Sequence, residues 1–177
     1  METPAADGSG RSTYLDGYAA AERLREVDEE AFGTLKATVF EYRCMDGEMG
    51  WHLEARGPVI EVDPYDGRTV VGIRHNDLDR LPPRPPASVV DSGATDAWYA
   101  EVYRALAAWD EVLNEDGRRL TISLQSGDCT LVHNRRVMHG RESFNLKEGD
   151  AKRSIVGCYT GSDDLESRWR VCFTSRD

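Results

Sequence analysis

Basic residues are scarce in this 177-residue chain, where 22 Lys and Arg stand against 32 Asp and Glu for a formal net charge of −10. Charge of that sign repels phosphate backbones, and no basic stripe or RNA-binding motif offsets it, so nucleic acid is excluded as a partner. Long apolar runs are missing as well; nothing approaches the roughly 20 residues of a membrane span, which excludes a membrane partner. The opening METPAADGSGR has neither the apolar stretch of a secretory signal nor the arginine-rich amphipathic pattern of an organellar leader. The expected location of the chain as given is therefore the cytoplasm. Cysteine is sparse and scattered, at Cys44, Cys129, Cys158 and Cys172, with no C-x-x-C pair. That spacing points to reduced thiols rather than a disulfide framework or a zinc site. What remains is 40% hydrophobic and 31% charged, a globular composition in a length that supports one core.

Residues 1–11 read as a flexible tail ahead of one domain spanning 12–177. A helical pattern runs from Asp16 to about Lys36, with Asp28, Glu29 and Glu30 as an acidic helix start. Four segments then alternate as strands do: ATVFEYR, WHLEAR, PVIEVD and RTVVGIR, separated by MDGEMG, RGP and DPYDGR. Those turn signals predict an antiparallel meander. The stretch RLPPRPPASV is a polyproline-like connector. Residues 95–114 carry Trp98, Val102, Leu106, Trp109 and Leu113 on one side of a helix, with Thr95 as its cap; that stripe predicts core. RLTISL, CTLVH and RSIVGCYT read as further strands, and a short helix is expected over 163–171. The sum is a β-rich α+β domain with helix on one face, most simply a jelly-roll or part of one.

Two histidines and three arginines crowd into HNRRVMHGRESF, residues 133–144. A histidine beside glycine near a strand end, His139, can point into a barrel mouth and bind a metal; it can equally be a hydrogen-bonded structural residue. Arg153 opens the next predicted strand and could lie beside it. The planar guanidinium fork matches a buried carboxylate, although a solvated surface charge is the plainer reading of any one arginine.

The block GDCTLVHNRRVMHGRESF, then RSIVGCY, then DDLESRWRV, resembles the γ-butyrobetaine and trimethyllysine hydroxylases, the carnitine-biosynthesis branch of the TauD-like Fe(II)/2-oxoglutarate dioxygenases. The earlier segments STYLDG, PVIEVDP and VVGIRHN match that family's order, so the likeness covers roughly residues 12–171 and corresponds to its C-terminal half. The resemblance implies a double-stranded β-helix (jelly-roll) truncated on its N-terminal side, with flanking helices. It implies His139 as an iron ligand, Arg153 as the partner of the 2-oxoglutarate carboxylate, and Arg141 as a second residue lining that pocket. Tyr159 corresponds to a wall of an aromatic cage around a trimethylammonium group, and Asn76 to a substrate contact. Fe(II) and 2-oxoglutarate are the implied cofactors, with ascorbate as reductant. γ-Butyrobetaine or trimethyllysine is the implied substrate, and a homodimer is compatible. A longer eukaryotic form would be mitochondrial. His133 departs from the pattern, which has Asp there.

A 2-His-1-carboxylate site needs a His-x-Asp or His-x-Glu besides His139, and the family carries it upstream of the matched stretch. His75-Asn76-Asp77 has that spacing, and strand alternation puts His75 and Asp77 on one face. Yet the resemblance places Asn76 in the site, and alternation then turns its neighbours away. The expectation is that the chain lacks the proximal iron ligands. Its activity as a hydroxylase is accordingly weighed against a catalytically inactive remnant or isoform serving as a binding or interaction module.

Overall fold

The computed structural model describes residues 9–143 and 155–174. Contacts divide the chain into two compact units, one of residues 11–122 and 130–142, the other of 1–10, 123–129 and 143–177. The larger unit begins with strand β1 (Ser12–Asp16), helix α1 (Gly17–Val27) and helix α2 (Glu29–Ala37). Strands β2 (Phe40–Asp46), β3 (Trp51–Gly57), β4 (Ile60–Val62) and β5 (Val70–Ile73) follow, then helices α3 (Ala87–Asp91) and α4 (Thr95–Leu113) and strands β6 (Leu120–Ile122) and β7 (Val137–Arg141).

The helical pattern over 16–36 forms two helices, the second starting at the expected acidic run after Asp28, and the break there has a local cause. The Asp28 carboxylate accepts from the Ala31 N–H at 2.9 Å and pairs with the Arg104 guanidinium at 2.6 Å, while its own N–H closes the end of α1 on the Leu24 carbonyl. One residue thus ends one helix and caps the next. Its carboxyl is held below the ordinary 3.8, first by the Ala31 N–H and then, against some desolvation, by Arg104. Asp28→Ala is expected to cost about 1–2 kcal/mol in urea unfolding near pH 7. Because the folded value lies below the unfolded one, this contribution is complete above the unfolded value and lost as pH falls through the folded one. The gap between wild type and variant should therefore close in acid.

Helix α4 forms where the apolar stripe predicts it and buries Val102, Ala105, Leu106, Trp109, Val112 and Leu113. These meet Leu24 of α1, Leu35 of α2 and Phe40, Val59 and Ile60 from the strand region in one core. The predicted cap is not used: Ala94 precedes the helix, and no side chain caps it. The polyproline connector also gives way at its end, where α3 starts directly after Pro86.

The jelly-roll expectation is corrected. Among the described residues the strands form a three-stranded sheet in the order β6-β1-β7 and two separate hairpins, β2-β3 and β4-β5, with no closed or curled sheet. The meander breaks into two pairs, and β3, bonded only to β2, is solvent-exposed along almost its whole length. The β4-β5 pair is three or four residues long and shifts register between Glu61 and Val62. CTLVH, predicted as a strand, is irregular, as is the described part of RSIVGCYT; the pairing strand instead comes from residues 137–141. Gly17 shows how tightly the α1 start is held, since a Cβ there would lie 2.7 Å from the Arg136 carbonyl and 2.9 Å from the Ile73 side chain.

In the smaller unit, helix α5 (Ser162–Phe173) is present with Trp169 and Phe173 rings 4.2 Å apart and none of its residues buried. Among the described residues no helix is long and apolar enough to cross a membrane. All four cysteines are free thiols.

Candidate functional site

A cleft of about 450 Å³ lies wholly within the larger unit, walled by Tyr14, His75, Asp77, Asp110, Arg119 and His139 among others. Three sequence-distant pieces build it. The first is the β1-β7 pair, whose antiparallel register sets Tyr14 opposite His139 and Thr13 opposite Gly140. Gly140 suits that close pairing, because a Cβ there would meet the Thr13 hydroxyl at 3.2 Å. The second is the C-terminal end of α4, where Asp110, Leu113 and Asn114 share a face at helical spacing. The third is the segment leaving β5, pinned by Ile73 N–H to the Arg135 carbonyl at 2.7 Å and Arg74 N–H to the Val59 carbonyl at 2.9 Å.

His75, Asp77 and Asp110 form a set whose ligand atoms all lie within 4.8 Å of one another. This corrects the expectation that the proximal iron ligands are missing, since a candidate metal-binding set is present. His75 and Asp77 both line the cleft and Asn76 does not. Strand alternation does not govern these residues, because β5 ends at Ile73 and His75 to Asp77 lie in the irregular segment and turn beyond it. Instead Asn76 organises a turn, its amide donating to Asp79 at 2.6 Å and its carbonyl oxygen accepting from the Leu78 N–H at 3.1 Å.

The donor set suits a divalent non-haem metal: one imidazole and two carboxylates, a hard O/N combination. Burial holds the His75 imidazole below its ordinary 6.5, partly countered by Asp77, so the neutral, ligating form prevails at neutral pH. Asp77 is oriented from behind, since Arg80 takes Oδ1 at 2.8 Å while Oδ2 faces His75 Nε2 at 3.7 Å. The Trp109 indole N–H donates to His75 Nδ1 at 3.3 Å, with the rings 67° apart. That contact favours the tautomer with its proton on Nε2, so ligation through Nε2 gives up one long hydrogen bond, about 1 kcal/mol. The cost is small beside the ligation it permits, and the residues fit.

His139 and Arg141 line the same cleft, though His139 is not one of the three clustered groups. Tyr159 lies in the smaller unit with 86% of its surface exposed. Arg153 falls outside the described residues. Several cleft residues were not anticipated, among them Tyr14, Asp110 and Arg119. Asp110 was read only as part of a core helix, although its spacing to Leu113 and Asn114 marks a second face beside the apolar stripe. Arg119 carried no motif at all.

Residues 1–159 match the family described as taurine catabolism dioxygenase TauD, TfdA. The chain is 27% identical over 164 residues to the mitochondrial trimethyllysine dioxygenase of Rattus norvegicus, covering 92% of this chain and 36% of that protein. It is 31% identical over 163 residues to the trimethyllysine dioxygenase of Neurospora crassa, covering 91% and 31%. It is 31% identical over 159 residues to the gamma-butyrobetaine dioxygenase of Pseudomonas sp. strain AK-1, covering 90% and 38%. The chain thus spans about a third of the length of these relatives.

Proposed function

The chain belongs to the TauD, TfdA dioxygenase family, and from that premise we propose that its cleft holds Fe(II) on His75, Asp77 and Asp110 and supports 2-oxoglutarate-dependent hydroxylation of a trimethylammonium acid. The observation that carries this reading is the convergence of one imidazole and two carboxylates in a cleft that also presents Arg141, His139 and Tyr14. The bound metal and 2-oxoglutarate would supply the oxidising chemistry, in which O2 hydroxylates a C–H bond and succinate and CO2 are released. The protein's part is to hold and orient. The half-buried His75 imidazole and the Arg80-aligned Asp77 carboxylate are held in place before ligand arrives, which lowers the ordering cost of binding. Asp110 comes from a helix anchored in the core by Trp109, so its position is set by packing rather than by a loop.

We assign Arg141 to an acidic co-substrate and His139 to the imidazole presented from the β7 side of the cleft. The face of Tyr14 suits a trimethylammonium group by cation–π attraction. Trimethyllysine and γ-butyrobetaine enter as substrates through the names of the relatives, and the assignments of Arg153 and Tyr159 rest on resemblance alone. The convergence of three potential ligands favours this reading over an inactive remnant. The test is mass spectrometry of the chain incubated with Fe(II), 2-oxoglutarate, ascorbate and 18O2, with each trimethylammonium acid or its unmethylated amine. A substrate gain of one 18O atom, matched by succinate and confined to the methylated compound, is expected. Succinate at background and no labelled product with either acid would refute it.

A further inference from the structure

We propose that Arg119 is a carboxylate-binding residue of the cleft, receiving an acid group of the bound small molecule through a charge-assisted hydrogen bond from its guanidinium. The inference rests on the reading of this cleft as the seat of the reaction. Helix α4 ends at Leu113, the chain reverses through Gly117 with φ at +78°, and Arg118 and Arg119 lead into β6. The two neighbours meet different fates. Arg118 is neutralised by Glu115 at 2.5 Å, a carboxylate that also takes Arg23 at 3.1 Å. Arg119 lines the cleft, and its hydrogen bonds from Nη2 go to neutral oxygens, the Leu113 carbonyl at 3.2 Å and the Asn114 side chain at 2.9 Å.

Most of the described arginines of this acidic chain have a carboxylate within ion-pairing distance, and Arg119 has none there among the described residues, although Asp77 and Asp110 line the same cleft. Its bonds to the end of α4 use Nη2 alone and hold the guanidinium plane in place, leaving the N–H groups of Nη1 and Nε to give single charge-assisted hydrogen bonds to an anion. Two sources offer the same chemistry here: the carboxylate of the co-substrate and that of the trimethylammonium acid.

The test is calorimetric titration of 2-oxoglutarate and, separately, γ-butyrobetaine into wild type, Arg119→Gln and Arg119→Lys, with and without Mn(II). We expect at least a 10-fold loss of affinity for one acid in Arg119→Gln and partial recovery in Arg119→Lys, which keeps the charge but not the bonds that hold the guanidinium on α4. The acid that loses affinity identifies the source. Binding of both acids unchanged in Arg119→Gln overturns the proposal, as does a wild type that binds neither. If Arg119 only caps α4, thermal stability falls while acid affinity holds, which also overturns it. Mn(II) binding by Asp110→Asn, followed in parallel, separates this outcome from failure of the metal reading. Arginine-dependent acid binding without Mn(II) binding would keep Arg119 and discard the triad.

Discussion

Asp110→Asn is expected to weaken Mn(II) or Co(II) binding by at least about 100-fold, equivalent to about 2.8 kcal/mol, while leaving the fold intact. The substitution is nearly isosteric, and Asp110 itself is solvent-exposed at its position on α4, so packing is undisturbed. What is lost is one of two anionic ligands in a three-residue set whose atoms lie within 4.8 Å of each other. A neutral amide oxygen is a much poorer ligand for a divalent cation, and two remaining protein ligands do not define a facial site. Affinity measured by competition with a coloured chelator, alongside a thermal melt, separates the two effects. Equal affinity in wild type and variant would remove Asp110 from the site.

Trp109→Ala is expected to produce the largest stability loss of any single change considered, about 3–5 kcal/mol in urea unfolding. The indole is fully buried and is the largest side chain so enclosed. Its ring fills the space where α4 packs on the first two helices and the strand region, and Ala would leave a void the neighbours cannot fill. Trp109 also reaches the site through its N–H to His75 Nδ1, so Trp109→Phe is the sharper probe. It preserves much of the volume and removes the donor. Its stability cost should be well below that of the Ala variant, and the His75 ring should shift toward the tautomer that exposes Nε2. Imidazole 15N chemical shifts of wild type and Trp109→Phe read that directly. Identical ring shifts in the two proteins would mean the indole does not set the tautomer.

The helical part of the fold was legible because its signals are local. The stripe from Val102 to Leu113 has only one helical solution, and Asp28-Glu29-Glu30 marks a helix start wherever it occurs. The sheets were not, because strand pairing is decided by partners far away in sequence. Residues 129–133 alternate as well as many strands do, yet β1 pairs instead with residues 137–141, whose Gly140 tolerates close approach to Thr13. At the site, the resemblance drew attention to His139, which does line the cleft. It also misdirected the reading of the His75 segment, since strand alternation was applied to residues that lie beyond the end of β5 in an irregular segment and turn. Asp110 and Arg119 were hidden for another reason. Neither belongs to a motif, and only the meeting of the α4 end with β1 and β7 gives them a common purpose.

The most direct measurement is an anaerobic titration of the chain with Fe(II) and 2-oxoglutarate, followed by visible absorption, with His75→Ala and His139→Ala in parallel. The weak charge-transfer band that forms when a 2-oxo acid chelates protein-bound iron is expected in the wild type and absent from His75→Ala. A band that survives in His75→Ala, or no band in the wild type, would contradict the assignment of His75, Asp77 and Asp110 as the metal ligands.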